Sequence, residues 1–343
     1  MPPNQPCYNP TMKLTDFGEF NLIDQLAKVV RKDSHPSAAS WQNLVLGIGD
    51  DAAVWKNESG HTVATTDCLI EGIHFTRENT DWHDLGWKAL AVNLSDLAAM
   101  GSHPRYALVT LGLPGKTRAD DILHLYTGMG ELAGKYETAI VGGNVSTAPV
   151  VFISITVTGQ SNRHFLTRSA ASPGEVIAVT GSLGGAAGGL RFLSAPHDYD
   201  SSGKTLCEYW LKPHPRLEVG ALLATEGVRC AIDISDGLAA DLGHICKQSQ
   251  VGATVEVSQV PQPPALAPLF GAEALTLALS GGEDYELLFT APAKTVERIA
   301  AKAPCPITVI GTVTAENPGK LRLLDPDGAA FVLNNQGWQH FAR

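Results

Sequence analysis

The amino-acid sequence predicts an α/β (α+β) protein of two domains, and three observations carry that expectation. At 343 residues the chain is long for one hydrophobic core. Strand-like and helix-like apolar patterns alternate along it. The alternation closes with a strand pattern at 151–159 and restarts beyond Arg168, where Pro173-Gly174 makes a turn. The expected division is an N-terminal arm at 1–17, a first domain at 18–162 and a second at 163–343.

Taken in order, a proline-containing arm precedes an expected helix at 18–31. Leu44-Val45-Leu46 and Ala52-Ala53-Val54-Trp55 read as strands around the turn Gly47-Ile48-Gly49-Asp50-Asp51, and 62–66 reads as a strand ending at Asp67. Over 85–100, Leu90, Leu94, Leu97 and Ala98 recur at helical spacing, with Gly101 and Pro104 as stop signals. Asn93 and Asp96 stand three residues apart on that helix and share a face. A strand at 106–113, a helix at 119–136 and the segment Ile140-Val141-Gly142-Gly143-Asn144 follow. The second half opens with a strand at 176–180 and a glycine-rich run at 181–190. That run lacks both the Gly-Lys-Ser/Thr ending of a phosphate loop and the spacing of a dinucleotide turn, so it reads as a close-packed turn into a helix. Later strands are expected at 231–232, 285–290 and 307–313, a helix at 238–247, and a Pro/Ala-rich loop at 260–268.

Composition excludes several classes. Hydrophobic residues make up 44% and charged residues 17%, enough apolar surface for an ordered globular body. The formal net charge of −10 argues against nucleic acid and anionic membrane as partners, since both require basic surfaces. The six cysteines show no C-x-x-C spacing and read as reduced thiols packed as small hydrophobes. Neither a leader pattern nor a membrane-length apolar run occurs, so a cytoplasmic protein is expected. The eleven histidines lack zinc spacing, and no G-x-S-x-G elbow is present.

The chemistry lies in the aspartates. Asp50-Asp51, Asp67, Asp96, Asp233 and Asp236 each stand where an apolar element meets a glycine-rich or polar turn. Singly they have ordinary explanations: Asp50-Asp51 can close a turn, and Asp67, Asp233 and Asp236 can cap helices. Asp96 is different, because a mid-helix carboxylate among apolar neighbours needs a partner. Lys88, two turns away, is one candidate and a metal ion is another. Magnesium takes hard oxygen ligands, usually a few carboxylates together with phosphate oxygens and water. Several carboxylates therefore suggest several ions, with Thr65, Thr66 and Ser235 as further oxygen donors and phosphoryl transfer as the chemistry. His74 either touches substrate or packs as an ordinary histidine.

These segments resemble the thiamine-monophosphate kinase family. The resemblance rests on Gly47-Ile48-Gly49-Asp50-Asp51, Thr65-Thr66-Asp67, the stretch from Lys88 through Asn93-Leu94-Ser95-Asp96 to Gly101, Leu166-Thr167-Arg168-Ser169, Ile234-Ser235-Asp236-Gly237-Leu238 and Ser280-Gly281-Gly282-Glu283-Asp284-Tyr285-Glu286-Leu287. It implies a fold like that of aminoimidazole ribonucleotide synthetase, with the N-terminal metal- and ATP-binding domains pairing in a homodimer. It also implies ATP-dependent, magnesium-assisted phosphorylation of thiamine monophosphate to thiamine diphosphate. By that likeness Asp51, Thr65, Thr66, Asp67, Asp96, Asp233 and Asp236 hold several Mg2+ ions, with Asp67, Asp96 and Asp236 central to transfer. Gly143, Asn144, Arg168 and Ser235 contact ATP, and His74, Glu283 and Trp338 contact the thiamine substrate. One position departs from the family pattern, which has Gly-Gly-Asp where this chain has Gly142-Gly143-Asn144. A neutral amide at a metal position attracts a divalent ion less than a carboxylate does. A non-catalytic nucleotide- or metal-binding sensor, or a related ATP-using synthetase, remains the alternative.

Overall fold

The computed structural model describes residues 42–338 apart from 58–59, 162–163, 195–200 and 336. The expected arm at 1–17 and helix at 18–31 lie outside the described residues.

Along Gly60–Ile70, Val63, Thr65 and Leu69 are buried on one side, the two-residue period of a half-buried strand. This strand, β3, belongs to a six-stranded sheet in the order β1 (Leu44–Leu46), β2 (Ala53–Asn57), β3, β6 (Phe152–Ser161), β4 (His103–Leu113), β5 (Ala139–Thr147). The sequence reading ends β3 at Asp67, but the strand continues because Cys68, Leu69 and Ile70 still pair with Ser154, Ile153 and Phe152 of β6. Asp67 therefore sits inside a strand, and its side chain follows Val63 and Thr65 on one face.

α1 (Trp82–Ala99) begins at Asp81, whose side chain accepts the Asp84 backbone N–H at 2.8 Å. Its residues are buried almost all round, so it is enclosed by other elements on every side. α1 packs on β3 and β6 of this sheet and reaches elements of the second half of the chain. α2 (Ala119–Lys135) lies against it at very close range. A Cβ on Gly86 would sit 1.9 Å from the Leu125 carbonyl oxygen, and one on Gly128 would sit 1.9 Å from that of His83. Only glycine permits this approach.

The second sheet runs β12 (Leu321–Leu324), β9 (Gly252–Glu256), β11 (Ile307–Thr314), β7 (Val176–Thr180), β10 (Leu287–Ala291), β8 (Cys230–Asp233). Its helices are α3 (Gly185–Leu193), α4 (Ser201–Leu211), α5 (Leu217–Thr225), α6 (Leu238–Ser249), α7 (Leu266–Phe270), α8 (Glu273–Ser280) and α9 (Ala293–Ala300). The glycine-rich run does enter a helix, α3. Its N-terminus is closed by the Asp284 carboxylate, which accepts the Gly184 and Ala186 N–H groups at 2.6 and 3.0 Å. The expected loop at 260–268 is cut short by α7, whose first turn tolerates Pro268 because no intrahelical partner is needed there.

One hydrophobic cluster spans α1, the first sheet and residues of the second half, and another lies beneath the second sheet. Cys68, Cys207, Cys230, Cys246 and Cys305 are free thiols. Among the described residues no helix is long and apolar enough to cross a membrane.

Candidate active site

The turn before β2, the polar stretch of β3, the middle of α1 and the loop from β8 to α6 surround one cavity of about 620 Å³. Its wall carries Asp51, Thr65, Thr66, Asp67, Asp96, Asp233, Ser235 and Asp236, together with Arg168, His74, Glu283 and Trp338. Both halves of the chain contribute. Gly143 and Asn144 are not among the lining residues; they lie on β5, the edge strand of the first sheet, where their side is exposed.

The carboxylates meet at the floor. Asp51, Asp96 and Asp233 each offer an oxygen within 4.8 Å of the others. Ser95 on α1 donates its hydroxyl to Asp233 at 2.6 Å, and Thr65 donates to Asp96 at 2.5 Å. Asn93 accepts the Asp67 backbone N–H at 2.9 Å. α1 therefore carries Asp96 and positions Asp233 and Asp67 through Ser95 and Asn93. Asp96 takes Thr65 as its partner, whereas Lys88 pairs elsewhere, with Glu283 at 3.0 Å. The Thr66 hydroxyl donates to the Ile155 carbonyl at 3.1 Å, turned toward β6.

Crowded burial raises the pKa values of Asp96, Asp233 and Asp50. Asp96 is pushed well above the usual carboxylate range by burial, and then by Asp67, Asp233 and Asp51. Burial and Asp51 lift Asp233 to about 8 against the opposing Ser95 hydrogen bond and Arg168. Asp50 is raised to about 7 by burial and by Asp51. Arg168 bonds Asp51 through its guanidinium and lies 3.9 Å from Asp50. Asp51 also keeps one buried oxygen, Oδ2, with no hydrogen-bond partner. Hard, partly unsatisfied oxygens held close together suit a divalent cation such as magnesium.

Helix α6 has Gly237 as its N-cap residue, so neither Asp233 nor Asp236 stands at the cap position. Asp241 instead accepts the Asp236 and Gly237 N–H groups at 3.1 and 3.0 Å, which leaves Asp236 turned to the cavity wall. Asp241 and His244 form a second close group with Asp236, and burial pulls His244 down to about 4. The sequence reading does not include either residue. Their spacing on α6, three residues apart on one face, is the signal that could have found them.

Comparison with known proteins bears directly on this site. Residues 49–161 match the model for AIR synthase related protein, N-terminal domain, and 172–323 match the C-terminal domain of the same group. A thiamine-monophosphate kinase of Bacillus subtilis (strain 168) is 34% identical over 334 residues, covering 94% of this chain and 99% of the relative. That of Escherichia coli (strain K12) is 37% identical over 333 residues, covering 95% and 98%. The chain belongs to the thiamine-monophosphate kinase family. A solved structure of AaThiL complexed with AMPPCP and TMP superposes with a TM-score of 0.84 at 31% identity, covering 96% of this chain and 99% of that one. The two-domain fold of the family therefore extends over the described residues, and the aspartate-lined cavity lies where its two halves meet.

Proposed function

We propose that this protein transfers the γ-phosphoryl group of ATP to thiamine monophosphate, giving thiamine diphosphate and ADP by direct in-line displacement. The observation that carries this reading is the convergence of Asp51, Asp96 and Asp233 within 4.8 Å at the floor of one cavity. That floor would hold magnesium, with Asp67 and Asp236 as further ligands and Thr65, Thr66 and Ser235 as neutral oxygens. Bound there, magnesium ions neutralise phosphate charge and align phosphate oxygens.

The remaining work falls to this chain's own residues. The acceptor phosphate is largely ionised near neutral pH, its second pKa being roughly 6, so no strong general base is required. Arg168, the arginine on the cavity wall, is placed to meet phosphate oxygens of ATP. His74 accepts the Ile70 N–H on Nδ1 at 3.1 Å, which orients the ring on the cavity wall, where it would contact substrate. Trp338 is 53% exposed at the rim and offers a face on which a cationic thiazolium can stack. Positioning and charge neutralisation then supply the rate.

The same reading makes the chain a cytoplasmic homodimer. Free thiols support the reducing compartment. The exposed edge strand β5 supports self-association and would bring Gly143 and Asn144 to the subunit boundary. The deciding experiment is formation of thiamine diphosphate from ATP, thiamine monophosphate and magnesium. Product that depends on all three is expected, and its absence at high enzyme concentration would overturn the reading.

A further inference from the structure

Lys88 has a side chain with 0% exposure in the middle of α1, and it does not line the cavity. A buried ammonium is tolerated only with a counter-ion close by. Here that counter-ion is Glu283, whose Oε1 lies 3.0 Å from Lys88 Nζ. The Trp210 ring covers another side of the ammonium, its centroid 3.6 Å from Nζ. The same indole donates its Nε1–H to Glu283 Oε2 at 2.5 Å. Oε1 is thus ion-paired and Oε2 hydrogen-bonded from inside the protein, while the Glu283 side chain stays 24% exposed on the cavity wall.

The backbone around this carboxylate is also held in an uncommon shape. Glu283 has φ +69° and Tyr285 φ +51°, the left-handed region that side-chain-bearing residues seldom occupy. Hydrogen bonds from the Glu283 N–H to Ser235 O at 2.8 Å and from the Tyr285 N–H to Ile234 O at 2.9 Å fix the loop. Strain of this kind persists where surrounding contacts over-determine it, and it gathers at functional sites. Lys88 reaches this loop from the first half of the chain.

We propose that Lys88 is a positioning residue that holds Glu283 in one orientation and balances its charge, making Glu283 a directed hydrogen-bond acceptor for an amino group on the substrate. This inference rests on the kinase reading above. With its negative charge already compensated, Glu283 serves less as counter-ion to the thiazolium than as acceptor for the exocyclic amino group of the aminopyrimidine. A site built to accept a hydrogen bond rejects the analogue that lacks the donor.

The test compares thiamine monophosphate with its analogue in which the pyrimidine amino group is replaced by oxygen. The wild-type protein should prefer the amino substrate at least tenfold in kcat/KM. Lys88→Met should raise KM for thiamine monophosphate about tenfold, leave KM for ATP within twofold and reduce the preference toward unity. Lys88→Arg, which keeps the charge, should retain most of the preference. Since an unpaired Glu283 can unfold the single variant, the double variant K88M/E283Q removes both charges together and should show the same loss of preference. A folded Lys88→Met or double variant that keeps the full amino preference overturns the proposal. So does a uniform fall in kcat with both KM values unchanged. If the wild-type protein makes no thiamine diphosphate, it is the kinase reading that fails; turnover with an unaltered preference in the variants sinks only the role of Lys88.

Discussion

Asp96 illustrates how a single carboxylate links burial to chemistry. It accepts a hydrogen bond from Thr65 and stands close to Asp51 and Asp233, and burial pushes its pKa well up. Replacing it with asparagine keeps the shape and removes the charge. Asp96→Asn is predicted to lower kcat by about a thousandfold or more, a scale typical for loss of a charge-stabilising group. In metal-free solution it should melt no lower than the wild type, because an amide avoids the cost of either protonating the buried carboxyl or holding it charged beside Asp67, Asp233 and Asp51. A near-normal rate would remove Asp96 from the metal site. The neighbouring acids give a pH prediction. Asp233 titrates at about 8 and Asp50 at about 7 in the metal-free fold, whereas unfolded aspartate titrates at about 4. The native state therefore holds more protons between these limits, and metal-free stability falls as pH rises through that window. Magnesium binds the deprotonated acids, so the rise in melting temperature on adding it should be larger at about pH 8.5 than at about pH 6. Equal shifts at both values would contradict the carboxylate floor. Asp51 and Asp67 drew notice in the sequence because each stands where an apolar element meets a turn, and Asp96 because it interrupts an apolar helix. Ser95 and Asp241 were not, since each is valued through a contact that composition hides. Ser95, for example, meets Asp233 from 138 positions away.

Among the elements, α1 carries the most functional weight. Ser95, Asp96 and Asn93 on it each touch or hold a residue of the cavity, while nearer its start it packs on α2 through Gly86 and Gly128. Helical spacing made α1 readable, and its stop at Gly101 was readable for the same reason. Strand limits were less so. β3 outruns its expected end because Thr65-Thr66-Asp67-Cys68 looks polar in sequence yet remains paired to β6, a partner some ninety residues distant. β5 has no alternating pattern to read, since all of it apart from Ile140 is exposed. The glycine contact between α1 and α2 gives a test of the packing that holds the site. Gly128→Ala places a methyl group against the His83 carbonyl, 1.9 Å away in the unrelaxed geometry, and the helices must separate to accept it. The predicted loss of stability is about 2–4 kcal/mol by urea denaturation, the range of an overpacked core position. A change below about 0.5 kcal/mol would mean that α1 and α2 part without cost and that their contact does not fix the position of Asp96.

At the scale of the whole molecule, the cavity exists only because two sheets of different construction are brought together around α1, so neither half alone presents the full set of aspartates. That the fold has two domains was legible from the length of the chain and the alternation of its patterns; how the halves face each other was not, because contacts such as Ser95 with Asp233 leave no periodic trace in the sequence. The exposed flank of the first sheet raises a separate question. β5 is an edge strand, and Val141 and Val145 on it are 56% and 66% exposed, beside Tyr106 and Leu108 of β4 at 57% and 49%. A long strand edge with apolar side chains invites pairing, and stable proteins cover or charge such edges. Here the edge carries no charged residue from Ala139 to Thr147. The proposed homodimer would cover it with the same strand of a second copy. Light scattering is therefore predicted to give twice the chain mass for the wild-type protein. Val145→Asp places a charge in the centre of the contact and should yield the monomer at micromolar concentration, with secondary structure retained. A monomeric wild type would remove the dimer, and a Val145→Asp protein that stays dimeric would move the interface to another face.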